Sequence, residues 1–91
     1  LSQNQPNPFN PTTYIHFGIP QDAGSQNVTL EIFNILGQRV RVLVDDEFSP
    51  GRYEAIWDAT NDEGIELPSG VYIYKLKAGE FEQSRKMTLL R

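Results

Sequence analysis

Apolar residues in this chain recur mainly at every second position. Ile15, Phe17 and Ile19 alternate with Tyr14, His16 and Gly18, the period of a half-buried β-strand. Pro20 closes that strand, and residues 21–27, with Gly24 and Ser25, read as a loop. Alternation resumes at Val28-Thr29-Leu30-Glu31-Ile32-Phe33 and again at Arg39-Val40-Arg41-Val42-Leu43-Val44, charges outward. The connection between them is short, and Gly37 can take a positive φ, so the two strands are expected to form an antiparallel hairpin. Residues 45–51 break the pattern and end in a Pro50-Gly51 turn signal. Tyr53, Ala55 and Trp57 then share one face of a fourth strand. A polar loop over 58–64 leads to a short edge strand at 65–67, the Pro68-Ser69-Gly70 turn, a strand at 71–78, a turn at Gly79-Glu80 and a last strand at 81–90.

About seven short strands at roughly ten-residue spacing, with no helical period, predict an all-β protein: an immunoglobulin-like antiparallel β-sandwich. Ahead of it, residues 1–12 are polar and carry Pro6, Pro8 and Pro11, which forbid helix and favour a stiff, extended backbone. The expected division is a Pro-rich lead-in segment or linker at 1–12 and the sandwich domain at 13–91. The first residue is Leu1, not Met, so the chain is expected to be a domain of a longer protein, with any export signal further upstream.

Composition narrows the function. Ninety-one residues make one domain, and with no cysteine its modest core has no disulfide to help it. A bacterial or cytosolic module fits better than a eukaryotic secreted one. The net charge is −4, and the scattered Lys and Arg argue against phosphate-backbone binding. No stretch approaches the roughly 20 apolar residues of a membrane span. His16 is the lone histidine, and its strand offers no nucleophile or substrate group beside it. No serine lies in a Gly-x-Ser-x-Gly elbow, and no Gly-rich phosphate loop precedes a helix. An enzyme is therefore not expected, nor a cofactor. Asp58, Asn61, Asp62 and Glu63 are weak candidates for a cation site; their spacing misses the EF-hand pattern, and the alternative is a solvated loop whose Asx side chains serve the backbone. Tyr14, Tyr53, Trp57, Tyr72 and Tyr74 could stack on sugar rings or, sharing strand faces with apolar neighbours, fill the core. Asn27-Val28-Thr29 fits the glycosylation pattern, relevant only in a eukaryotic secretory pathway.

An ordered set of motifs runs through nearly the whole chain: Gln3-Asn4-Gln5-Pro6-Asn7-Pro8-Phe9-Asn10-Pro11-Thr12-Thr13, Ile32-Phe33-Asn34-Ile35-Leu36-Gly37-Gln38-Arg39-Val40, Gly51-Arg52-Tyr53, Trp57-Asp58, Pro68-Ser69-Gly70-Val71-Tyr72-Ile73-Tyr74 and Lys86-Met87. Together they resemble the type A C-terminal sorting domain of the bacterial type IX secretion system. The Trp-Asp and Ser-Gly-Val-Tyr pieces are also similar to the immunoglobulin-like domain of the flagellar hook-capping protein. The resemblance implies a non-catalytic module at the end of a larger secreted protein, which directs that cargo from the periplasm across the outer membrane. In many such members a surface peptidase then removes the module.

The resemblance also implies a recognition motif at Asn7, Pro8, Gly37, Gly70, Val71, Tyr72, Lys86 and Met87. Implied partners are outer-membrane translocon components and the N-terminal cargo domain of the same chain, with no nucleic acid and no membrane span, the module itself being monomeric. The location implied is secreted or cell-surface. Arg85, Lys86 and Arg91 are expected to make a basic tip on an acidic domain, with the last hairpin read by a translocon component that adds a strand to its edge. Two other readings remain: a passive immunoglobulin-like spacer or stabilising module of a multidomain enzyme, and a carbohydrate-binding module.

Overall fold

A computed structural model describes residues 1–91. Six strands follow in order: β1 Thr13–Ile19, β2 Gln26–Asn34, β3 Arg39–Phe48, β4 Gly51–Trp57, β5 Gly70–Ala78 and β6 Phe81–Leu89. One 3-10 turn, Gln21–Ala23, follows β1. β1 and β4 pair antiparallel as one sheet; the other has the order β3-β2-β5-β6, also antiparallel. The short edge strand expected at 65–67 is a single antiparallel bridge between Thr60 and Glu66. No helix is long and apolar enough to cross a membrane.

The alternation places side chains as a period of two requires. Along β1 the residues alternate strictly between buried and exposed. Ile15, Phe17, Ile19, Ala55 and Trp57 from the small sheet face Val28, Leu30, Ile32, Tyr72, Tyr74, Leu76, Met87 and Leu89 from the large one. Trp57 lies at the centre, fully buried, 5.5 Å from the Tyr72 ring in an edge-on contact. Its indole N–H donates to the Thr60 carbonyl at 2.9 Å, so the ring is dry without an orphaned donor.

Two expectations need correction. The break expected from residue 45 does not occur, because β3 continues to Phe48. Asp45, Asp46 and Glu47 stay in register with Thr29, Val28 and Asn27 on β2, and being exposed their carboxylates cost nothing in burial. Phe48 at the end closes an aromatic cluster with Phe17 and Tyr53.

Residues 1–12 are not a linker outside the domain but part of it. Asn4 and Phe9 are each 1% exposed, and Phe9 lies 5.7 Å from the Trp57 ring within the core. Leu1 also packs against that core. The prolines keep this segment extended, and an extended segment can lie along a sheet edge.

Candidate functional site

The motif positions gather around one end of the large sheet, and strand parity sorts those on β5 and β6 into two faces. Tyr72 on β5 sits directly opposite Met87 on β6, and both are buried, at 5% and 1% exposure. Each is flanked by residues facing the other way: Val71 opposite Thr88, and Ile73 opposite Lys86. Val71 is 40% exposed, and Lys86 is exposed and makes no ion pair. Register also places Phe33 of β2 beside Ile73, giving a row Phe33, Ile73, Lys86 across the outer face. Cations cluster on this face of an acidic domain. Lys75 and Lys77 reach Glu82 at 3.8 Å, and the Lys75 ammonium lies 5.1 Å above the Phe33 ring.

The glycines shape the nearby end of the sandwich. Gly37, at φ 81°, closes the β2–β3 hairpin, where an L side chain would be strained. Around it the Asn34 side chain accepts from the Leu36 and Gln38 amides, both at 3.0 Å, an Asx arrangement. The hairpin tip presents Ile35 and Leu36, which are 72% and 79% exposed. Gly70, at φ 158°, starts β5. Between tip and turn runs a groove of about 360 Å³ lined by Leu36, Pro68, Gly70, Val71 and Tyr72 among others. The Tyr72 hydroxyl donates to the Pro68 carbonyl at 2.7 Å and holds that turn. Burial pushes its pKa up, opposed by the Arg91 charge.

Asn7 and Pro8 lie beside β6. The Asn7 carboxamide oxygen accepts from the Thr88 amide at 2.9 Å. Next to exposed Pro8, the Phe9 amide donates to the Thr88 carbonyl and the Leu90 amide donates to the Phe9 carbonyl, each at 3.0 Å. A few residues earlier the same segment borders the other sheet. Gln5 and Tyr14 exchange both backbone hydrogen bonds, and the Ser2 amide donates to the His16 carbonyl. Residues 2–9 therefore cross from the β1 edge to the β6 edge and close one side of the sandwich.

A buried polar hub holds that crossing, and the sequence gives little sign of it. The Asn4 amide donates to the Tyr74 hydroxyl at 2.9 Å, which donates to the Ser2 carbonyl at 2.7 Å. The Asn4 side-chain amide donates to Thr13 Oγ1 at 3.0 Å and to the Pro6 carbonyl at 3.1 Å. Thr13, fully buried, donates to the same carbonyl at 2.9 Å. Tyr74 is pushed up in pKa by burial, partly offset by the Asn4 amide and the Arg85 charge. Phe9 is the one signal in this stretch, a large apolar residue alone among polar ones.

The expected basic tip does not form. Arg85 donates to the Leu1 carbonyl at 3.1 Å. Arg91 is bound at the far end, its guanidinium on Glu66 at 2.8 Å, on the Ala59 carbonyl at 3.1 Å and on the Leu67 carbonyl. Only Lys86 of the three is unengaged.

In the acidic loop one side-chain oxygen each of Asp58, Asn61 and Asp62, three of the four residues weighed as metal ligands, already accepts hydrogen bonds. Asp58 Oδ1 accepts from the Thr60 hydroxyl and amide. Asn61 Oδ1 accepts from the Glu63 and Ile65 amides, and Asp62 Oδ1 from the Val42 amide. Arg41 lies 3.7 Å from both Asp58 and Asp62. The Thr60 hydroxyl, ahead of the weaker Arg41 attraction, holds Asp58 below the usual carboxylate range. Glu63 brings only its backbone to the loop. This is an Asx-structured loop.

The sugar-platform alternative loses its surface, because Trp57, Tyr72 and Tyr74 are core residues and only Tyr14 among the large aromatics weighed is well exposed. His16 makes an exposed cross-strand contact with Glu54 at 2.8 Å.

Residues 3–80 match the family described as the FlgD Ig-like domain. No curated protein sequence matches the chain. Among solved structures the fold is similar to part of dimeric latent PorU from Porphyromonas gingivalis, with a TM-score of 0.77 and 20% identity over 97% of this chain. It is similar to part of PorZ, an essential surface component of the type IX secretion system of the same bacterium, at 0.64 and 19% over 98%. It is also similar to FLGD from P. aeruginosa, at 0.63 and 18% over 85%. The chain spans 9%, 11% and 58% of those three chains.

Proposed function

The chain belongs to the FlgD Ig-like domain family, and on that footing we propose that it is a non-catalytic C-terminal sorting domain. In this reading it directs a larger bacterial protein through the periplasm and across the outer membrane by type IX secretion, to the surface or the medium. Its partners are the cargo domain of the same protein and outer-membrane translocon components. The module acts as a monomer and binds no nucleic acid.

The observation that carries the reading is the split of the motif by strand parity. Tyr72, Met87, Gly37 and Gly70 serve the fold, whereas Val71 and Lys86 reach solvent, Val71 in a groove it shares with exposed Ile35 and Leu36. A solvent-facing apolar surface with an unpaired cation suits contact with another protein. The fold shared with part of PorZ gives context. The strand-addition idea narrows: Thr88 and Leu90 already pair with the leading segment, and the Lys86 carbonyl accepts from the Gln3 side chain, so an incoming strand has only the 82–85 stretch of that edge.

The test fuses a signal peptide and a folded reporter ahead of residues 1–91 in a host with the type IX system. Reporter should reach the surface or medium only with the module and an intact translocon. The paired variant Val71→Asp with Lys86→Glu should strand it in the periplasm. Both sites are exposed, so stability should move by less than about 1 kcal/mol. Export unaffected by the paired variant would reject this surface; reporter left in the periplasm with the native module folded would reject the sorting role. The second reading, a stabilising spacer, draws on the four fold-serving motif residues, and would then be preferred.

A further inference from the structure

The side of the sandwich closed by residues 2–9 stays open beyond Leu1. There a cleft of about 490 Å³ lies between the end of β1 and the β5–β6 hairpin, lined by Leu1, Gly18, Ile19, Ala23, Ala78 and Phe81 among others. Most of its lining side chains are apolar, and Phe81 is 55% exposed.

The backbone beside the cleft is equally unfinished. Tyr14 exchanges both its backbone hydrogen bonds with Gln5, and the His16 carbonyl accepts from Ser2. With period two, the even residues of β1 turn their amides and carbonyls away from β4 and toward the leading segment. Gly18 is the next in that series, and its amide and carbonyl face the cleft with no strand beside them. From the Ser2–His16 contact, antiparallel stepping sets Leu1 across from Phe17. The residue before Leu1 then falls across from Gly18, and the one before that across from Ile19. Leu1 packs toward the core, so alternation turns the second upstream side chain inward, into the cleft.

The geometry points to this cleft as the docking slot for the polypeptide that leads into Leu1. The inference rests on the reading above, in which a larger protein precedes the module. The upstream residue nearest Leu1 exchanges backbone hydrogen bonds with Gly18. The second upstream residue, which this site selects to be apolar, fills the space between Ile19, Ala78 and Phe81. The strand already laid on β1 by Ser2–Gln5 is thereby continued, and the join between cargo and module becomes part of the module's core.

The experiment varies only residues outside the module. Three fusions place the same folded reporter before Leu1, with Leu, Ser or Asp at the second upstream position and Thr at the first. Amide exchange at Gly18 and the module's unfolding midpoint are read for each, beside residues 1–91 alone. With Leu, the unfolding equilibrium should shift by about tenfold in favour of the fold relative to Asp, as partial burial of one such side chain gives. Gly18 exchange should slow in the Leu fusion relative to residues 1–91 alone. Introducing Phe81→Glu should reduce the Leu advantage. Equal midpoints and unchanged Gly18 exchange across the three fusions would overturn the slot. Secretion of the same fusions reports separately on the sorting role, so the two ideas can fail independently.

Discussion

The large sheet has two edges, and the chain guards them by different means. At β3 a loop some twenty residues further on supplies one mimic of a strand. The Asp62 amide donates to the Val40 carbonyl at 3.1 Å, and its carboxylate accepts from the Val42 amide at 3.0 Å. Arg41 binds Thr60 and the Asn61 carbonyl beneath it, and most of this is wet. At β6 the guard comes from the opposite terminus. It brings an aromatic ring into the core and a polar hub nearly sealed from water. Both devices cover unpaired backbone that would otherwise invite a foreign strand. The exposed cap is held by contacts that solvent competes for, whereas the buried one contributes to the core and fails with it.

Removing the ring should separate the two edges most. Phe9→Ala empties a space against Trp57 and should cost about 3–5 kcal/mol, read as a large fall in the thermal midpoint. A loss no greater than that of an exposed substitution would mean that the leading segment only lies on the surface.

The hub comes next. Tyr74→Phe keeps the ring in place but leaves the Asn4 amide and the Ser2 carbonyl without the hydroxyl that joins them, a loss of about 1–3 kcal/mol. Hydrogen exchange should rise over residues 2–5 before it rises at β3. Uniform exchange across both edges would contradict the distinction.

The smallest effect belongs to the acidic loop by β3. Asp58 has its pKa lowered from 3.8 in the folded chain. Its stabilising contribution is therefore present above that value and is lost as pH falls through the lower folded value. Asp58→Asn should cost less than about 1 kcal/mol at neutral pH, and the difference from the parent should shrink as the solution is acidified below about pH 4. A gap that stays constant with pH would assign the effect to shape, not charge.

Much of this was legible in the chain itself. The alternation at 13–19, 28–33 and 71–78 placed the strands because a sheet with one dry face tolerates no other period. Tyr53-Ala55-Trp57 announced its buried face in the same way. The Pro50-Gly51 turn and Gly37 marked where the chain reverses. Residues 45–48 misled because acidic residues disfavour a strand locally, yet β2 supplies a partner for each of them. Residues 1–12 misled because their polarity is that of a linker. The backbone amide of buried Asn4 is met by Tyr74, seventy residues away, and no local pattern carries that pairing.

The sequence by itself determined the period, the turns and the class of fold, since these follow from neighbours a few residues apart and from which faces can leave water. Tertiary structure alone decided which motif residues are core and which are surface. It set Tyr72 and Met87 against each other indoors and left Val71 and Lys86 outside. It also joined the first residues to the last strand. Such pairings depend on register between distant strands, and register is fixed only when both sheets close on one core.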